Sequence, residues 1–391
     1  MARYNFDEII ERRGTQCIKH DFNREYFGKD DVIPMWVADM DFRTPDFIMD
    51  AIRTRAQHEI LGYTKRSDGF FQAIIDWYKR RQNWSIEKNW IVFTPGIVPA
   101  LHFSVRAFTS PGDKIIIQPP VYHPFFSVIE GNQRKIVLNP LKLIKGRYSM
   151  DLDNLKDQID DRVKLILLCH PHNPTGRNWT PEELAELANI CLERNILIVS
   201  DEIHSDLILP GQKHVPLAAI SPAFSDITIT CIAPSKTFNL AGLSTSAVVI
   251  SDTLKREIFS REIETAHLWV GNIFGNVALE AAYRNGHEWL DQLMNYLLNN
   301  FKILDQYLKQ HIPVIKLVWP EATYLAWLDM RGLNLDGQAL KNFMIHKAGL
   351  GCNDGASFGV NGTGFQRMNI ACPKVVLNKA LDQLRHAVYH L

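Results

Sequence analysis

The stretch KLILLCHPHNPTGRNWTPEELAELANICLERNILIVSDEIHSD, residues 164–206, holds a complete strand–helix–strand unit. KLILLC and NILIVS are nearly continuous apolar runs of five or six residues, which suits strands buried on both faces of a helix-covered, largely parallel sheet. Between them, Thr180 is placed to cap a helix, with Pro181 at its first position and Glu183 completing a capping box. Leu184, Leu187, Ala188, Cys191 and Leu192 then line one helical face. The same alternation continues outward through WIVF at Trp90, KIIIQ at Lys114, ITITCIA at Ile227 and SAVVI at Ser246, which defines an α/β domain.

A chain of 391 residues exceeds the usual single core, so one large and one smaller domain are expected. The alternation covers residues 46–285. From His287 to Ile312 no Gly or Pro interrupts a stripe of Leu290, Leu293, Leu297, Leu304 and Leu308, which predicts a long helix. The remainder mixes strands (IKLVW, TYLAWLD, FQRMNIA) with helices near 336–348 and 374–386. A small α+β domain is therefore expected from residues 1–45 together with 286–391. Lys plus Arg equals Asp plus Glu at 43 each, so no global field attracts nucleic acid or an anionic membrane. The basic cluster at residues 79–81 falls where a helix ends, a position its dipole favours. Six dispersed cysteines, a charged N-terminus and the lack of an apolar run of about 18 residues lead us to expect a cytoplasmic protein.

Open α/β sheets bind ligands beyond the carboxyl ends of their strands. After WIVF, Gly96 turns the chain into a helix whose free N–H groups at Gly96, Ile97 and Val98 can face an anion; a plain strand–turn–helix junction reads the same way. After KIIIQ, prolines hold Tyr122 on a stiff loop, as a stacking ring or an ordinary buried aromatic. After KLILLC, Asn173 can donate to a ligand oxygen or cap the turn ending at Gly176. Asp201 leaves a buried run and needs a cationic partner, in a site or a salt bridge. Lys236, with Ser235 before it, follows ITITCIA and is either a surface lysine or an amine desolvated for carbonyl chemistry.

One ligand accounts for all five strand ends. Pyridoxal 5′-phosphate needs a lysine for its aldehyde, a carboxylate for its ring nitrogen, a donor for its ring oxygen, an aromatic face and an anion cradle. Lys236, Asp201, Asn173, Tyr122 and the Gly96–Val98 turn supply them. His170 and His172 lack a third ligand at metal-site spacing, so they are expected beside Asn173 as loop walls, with no metal.

The order TPGIVPA, PPVYHPF, HNPTG, SDEIHSD, APSKTFN, FQRMNIAC resembles the fold-type I pyridoxal-phosphate enzymes, the class I/II aminotransferase family, over essentially the whole chain. RRGT, VIPMWVADMDF, LGYTKRSDGF and PEATYLAWLD are similar to its cystathionine β-lyase (C–S lyase) branch. The resemblance implies a mostly parallel seven-stranded sheet in the large domain. It also implies α,β-elimination on L-cystathionine or related cysteine S-conjugates to thiol, pyruvate and ammonia, with transamination as the alternative chemistry. An added regulatory role is a further reading, since some members of the branch bind a transcription factor. Arg367 is implied to grip the substrate carboxylate, Val37 and Ala38 to line the substrate side, and His204 to lie near the ring oxygen. Tyr63 is implied to reach the phosphate of a neighbouring subunit, hence a homodimer. Two positions depart from the aminotransferase pattern: Ser244 stands where many members carry a phosphate-binding arginine, and Ala233 where a hydroxyl is common.

Overall fold

The structure, a computed structural model, describes residues 4–391. Seven strands form the main sheet: β1 (Ile91–Thr94), β2 (Lys114–Ile117), β3 (Lys135–Leu138), β4 (Val163–Cys169), β5 (Leu197–Asp201), β6 (Thr228–Ile232) and β7 (Ser246–Val249). Their order is β1-β7-β6-β5-β4-β2-β3, and only β7 runs against the others. The mostly parallel, seven-stranded arrangement implied by the motifs is therefore present. Its edge strand β3 carries only partial burial, which is why its sequence stands out least.

The apolar runs are continuous because alternate side chains feed two different cores. Leu165, Leu167 and Cys169 of β4 pack with helix α1 (Ile97–Phe108) on one face of the sheet. Ile166 and Leu168 pack with helix α2 (Pro181–Glu193) on the other. Thr180 caps α2 with the complete capping box, and Pro181 opens it. One position of the expected stripe is corrected: Leu192 is 40% exposed, and Ile190 is buried instead. Ile190 shares its cluster with Leu217 and Phe224, so a neighbouring segment, not the helical period, decides that side.

Helix α3 (His287–His311) runs 25 residues, and all five stripe leucines are buried. It packs against α4 (Lys374–Tyr389). Strands β8 (Lys316–Val318), β9 (Leu325–Asp329), β10 (Asn353–Asp354) and β11 (Phe365–Asn369) make a four-stranded antiparallel sheet in the order β8-β9-β11-β10. The helix expected near 336–348 is in fact an α-helical segment, Gly337–Asn342, followed by a π-helical turn, Phe343–Lys347. Near the N-terminus, Ile33–Pro34 pairs in parallel with Leu350–Gly351, joining the two ends of the chain. The basic residues Lys79, Arg80 and Arg81 lie in the last turn of a helix (Asp68–Gln82), as the dipole argument expects.

Candidate active site

Because β1, β2, β4, β5 and β6 are parallel, their carboxyl ends share one edge of the sheet. The segments leaving that edge line a cleft of about 210 Å³. Lys236, Asp201, Asn173, Tyr122, His204, Ser235, Gly96, Ile97, Val98 and Ala38 all lie on its wall. The reversed strand β7 starts where its neighbours finish, so Ser244 and Thr245 join the same wall. The resemblance already sets Ser244 at the phosphate end; the topology explains how it gets there and adds Thr245.

Gly96 caps α1 with φ 143° and ψ 163°, a conformation open to glycine alone. The next N–H groups have no acceptor within the helix. Pro99 has no N–H, and the Ala100 N–H is taken by the Gly96 carbonyl at 3.1 Å, so the free donors cluster at 96–98. Hydroxyls of Ser235, Ser244 and Thr245 complete a polar end of the cleft without a cation.

Asp201 ends β5 and is only 3% exposed. Among the described residues its carboxylate has one hydrogen-bond donor, the Ile203 N–H at 3.2 Å, and burial pushes the carboxyl up to about 7. A cation facing it would restore the charge. Burial, and then the Arg367 charge, draws Lys236 down to about 8. Its Nζ donates to the Ala38 carbonyl at 2.7 Å, and Tyr324 Oη donates to the same oxygen at 2.8 Å.

Arg367 sits on β11, buried, with Nη1 donating to Asn173 Oδ1 at 2.9 Å. Nη2 donates to the Trp36 carbonyl at 2.9 Å and to Asn353 Oδ1 at 2.6 Å. A guanidinium has five N–H donors, so two remain, and Nε is buried without a partner. Asn173 thus spends its oxygen on Arg367 instead of capping the turn, which leaves its amide nitrogen as a donor. His204 is buried with Nδ1 unpartnered. These unspent buried donors, the uncompensated Asp201 and the anion-ready helix start fit the pyridine, ring oxygen and phosphate of pyridoxal phosphate.

Val37 stands behind the wall, with its carbonyl accepting from Asn369 Nδ2 at 2.6 Å. Tyr63 is 96% exposed and does not enter this chain's own cleft. His170 and His172 are set back from the cleft and do not line it, contrary to their expected place as loop walls. Nε2 of His170 meets the Val215 carbonyl at 3.1 Å, and Nδ1 of His172 meets Thr175 Oγ1 at 2.9 Å. No group of His, Cys, Asp and Glu among the described residues is arranged to hold a metal. Tyr324 and Asn353 escaped the sequence reading. An aromatic before a buried strand was the only hint of the first, and none marked the second.

Burial holds His170, His172, His204 and His214 down to about 3. They are neutral when folded and gain protons on unfolding below about pH 6.5, so their stability contribution is lost as pH falls. Asp201 and Glu202, both raised to about 7, act oppositely: they keep protons in the folded chain that the unfolded chain releases. Four histidines against two carboxyls give a net loss on acidification. The thermal midpoint of cofactor-free protein is expected to fall between pH 6.5 and 5; a rise would contradict this balance.

Residues 30–384 match the family model for aminotransferase class I and II. Cystathionine beta-lyase PatB of Bacillus subtilis (strain 168) is 43% identical over 98% of this chain and 100% of its own length. A PLP-bound putative aminotransferase from Clostridium difficile 630 superposes with a TM-score of 0.97 at 42% identity, covering 99% of this chain and 100% of that one. Cystalysin from Treponema denticola, whose crystal structure contains pyridoxal 5′-phosphate, gives a TM-score of 0.97 at 36% identity over the full length of both chains. No helix among the described residues is long and apolar enough to cross a membrane.

Proposed function

The chain belongs to the class I and II aminotransferase family, and from that membership we propose that it is a pyridoxal 5′-phosphate-dependent carbon–sulfur lyase. Its reaction is α,β-elimination on L-cystathionine or a related cysteine S-conjugate. The observation that carries this reading is the convergence of Lys236, Asp201, Asn173, Tyr122 and the Gly96–Val98 turn on one cleft. The likeness to a cystathionine β-lyase along the whole chain supports the lyase outcome.

Lys236 would hold the cofactor covalently, Asp201 its ring nitrogen, Asn173 and His204 its ring oxygen, and Tyr122 its face. Bound there, pyridoxal phosphate supplies an electron sink for the carbanion formed at Cα. Arg367, set behind the cleft wall, would orient the substrate by drawing its α-carboxylate to the guanidinium, in a charge-assisted hydrogen bond from the unspent Nη1 N–H. As a neutral amine Lys236 would remove the Cα proton, and the burial and Arg367 charge that lower it to about 8 favour that neutral form. Because the Ala38 carbonyl accepts one N–H of that amine, its lone pair points elsewhere. Asp201 keeps a proton on the ring nitrogen, its own charge restored by that cation. The Cα electron pair would then form the Cα=Cβ bond as the Cβ–S bond breaks with its pair on sulfur, and the residual enamine would take up one water to give pyruvate and ammonia.

Incubation of the loaded protein with L-cystathionine is expected to release thiol and pyruvate together. Amino-group transfer to 2-oxoglutarate with no thiol would instead favour transamination, which uses the same residues. Arg367→Lys keeps the charge but loses the planar fork. It is expected to raise KM for the amino acid about a hundredfold, about 2.7 kcal/mol, with a smaller change in kcat. An unchanged KM would remove Arg367 from substrate binding.

Tyr63, in the exposed stretch that also carries Ile60 and Leu61, is suited to complete the phosphate site of a second copy. The active form is accordingly a homodimer. Mixing Tyr63→Phe with Lys236→Ala protein tests this, since one site of the mixed dimer regains both groups. The chain would divide into residues 46–285 and 1–45 plus 286–391, with the cleft beside the joint between the two domains.

A further inference from the structure

Residues 35–40, MWVADM, form no strand beyond Pro34 and no helix, yet all six of their carbonyls are taken. The Met35 carbonyl accepts from the Asn369 N–H, and the Trp36 carbonyl from Arg367. Asn369 Nδ2 bonds the carbonyls of Val37 and Asp39. Lys236 and Tyr324 share that of Ala38. Arg12 and Asn239 share that of Met40. One irregular segment therefore sets both the reacting amine and the carboxylate-binding arginine.

Irregular backbone needs outside restraint to hold such a register. Here it comes from the N-terminal segment. Arg12 bonds both oxygens of Asp39, at 3.1 and 2.6 Å, and Asp41 at 2.6 Å. Lys19, with a side chain only 1% exposed, meets Asp41 at 2.7 Å and Asp39 at 3.5 Å. His20 meets Asp41 at 3.3 Å, on the same oxygen that Arg12 holds. A buried ion cluster adds little net stability over apolar packing, because desolvation offsets the attraction. What it does supply is geometry.

We propose that Arg12 and Lys19 are positioning residues for the reaction, clamping Asp39 and Asp41 so that the backbone leading into them presents the Ala38 carbonyl to Lys236 and the Trp36 carbonyl to Arg367. This rests on the roles given above to Lys236 and Arg367. Neither clamp residue touches the cleft, so each acts through the 36–40 backbone.

The test uses full-length Lys19→Met and Arg12→Gln proteins, with Arg24→Gln as a control from the exposed Arg24–Asp30 pair. The first readout needs no cofactor. Acetic anhydride is applied to cofactor-free protein well below its melting temperature, and acetylation of Lys236 is compared with that of exposed Lys156 by mass spectrometry. Loss of the carbonyl anchor is expected to change the Lys236 to Lys156 ratio at least threefold in both clamp variants and not in Arg24→Gln. In loaded enzyme, kcat is expected to fall and KM to rise, each at least threefold, with Arg12→Lys recovering part of both. A folded clamp variant with lowered melting temperature but an unchanged acetylation ratio and kcat/KM would overturn the proposal. Should Lys19→Met fail to fold, the more accessible Arg12→Gln decides alone. Retained turnover in Lys236→Ala would instead sink the underlying assignment, so the two failures are separable.

Discussion

Lys236→Ala lowers turnover of L-cystathionine by at least about a thousandfold and leaves the fold intact. Two losses combine in that number. The amine that binds the aldehyde is gone, and so is the base for the Cα proton. Little structural cost is expected, because among the described residues Lys236 Nζ has the Ala38 carbonyl as its only acceptor, and that carbonyl keeps its second donor in Tyr324. Borohydride reduction followed by mass spectrometry separates the two functions: wild type carries the cofactor mass on the peptide containing residue 236, and the variant carries none. A variant that retains both the adduct and turnover would place the reacting amine elsewhere.

The second large effect belongs to Asp201, and its two consequences have opposite signs. In cofactor-free protein the carboxyl is buried and raised to about 7, so burial disfavours its charged form. Asp201→Asn removes that penalty, and cofactor-free protein at pH 8 is expected to melt no lower than wild type. Catalysis should nevertheless fall about a thousandfold, about 4 kcal/mol, since a neutral amide cannot hold the ring nitrogen protonated. Cofactor affinity measured by fluorescence titration is expected to weaken as well. A simple structural salt bridge would behave the other way, losing stability and sparing turnover. Equal losses in both would therefore count against the pyridinium role.

Transamination and elimination share every group discussed so far, and only the fate of the electrons at Cα distinguishes them. That fate depends on what the substrate carries at Cβ and on how it lies in the cleft. The positively charged partner missing at Ser244 bears on the phosphate end alone. There, backbone N–H groups and the hydroxyls of Ser235 and Ser244 have to serve, since the Thr245 hydroxyl donates to the Leu243 carbonyl, aided in the proposed dimer by Tyr63.

Residue pattern alone was enough for six strands of the sheet and the list of strand-end groups, while the half-exposed edge strand Lys135–Leu138 escaped it. The reason is that a parallel strand buried on both faces has no polar option along its length, so its apolar run and the first polar residue after it are both legible. Asp201 and Lys236 stand out for that reason. The capping box at Thr180 is equally local, since its bonds close within four residues. Tertiary structure decided what depends on contacts distant in sequence. Leu192 became exposed and Ile190 buried through a packing partner near residue 217. Ser244 and Thr245 reached the cleft because β7 runs backwards. Asn173 turned its oxygen to Arg367, 194 positions away, and the carbonyls of 35–40 found donors from both ends of the chain. Periodicity records which face a residue shows; it has no term for the partner that a backbone carbonyl or a reversed strand will meet.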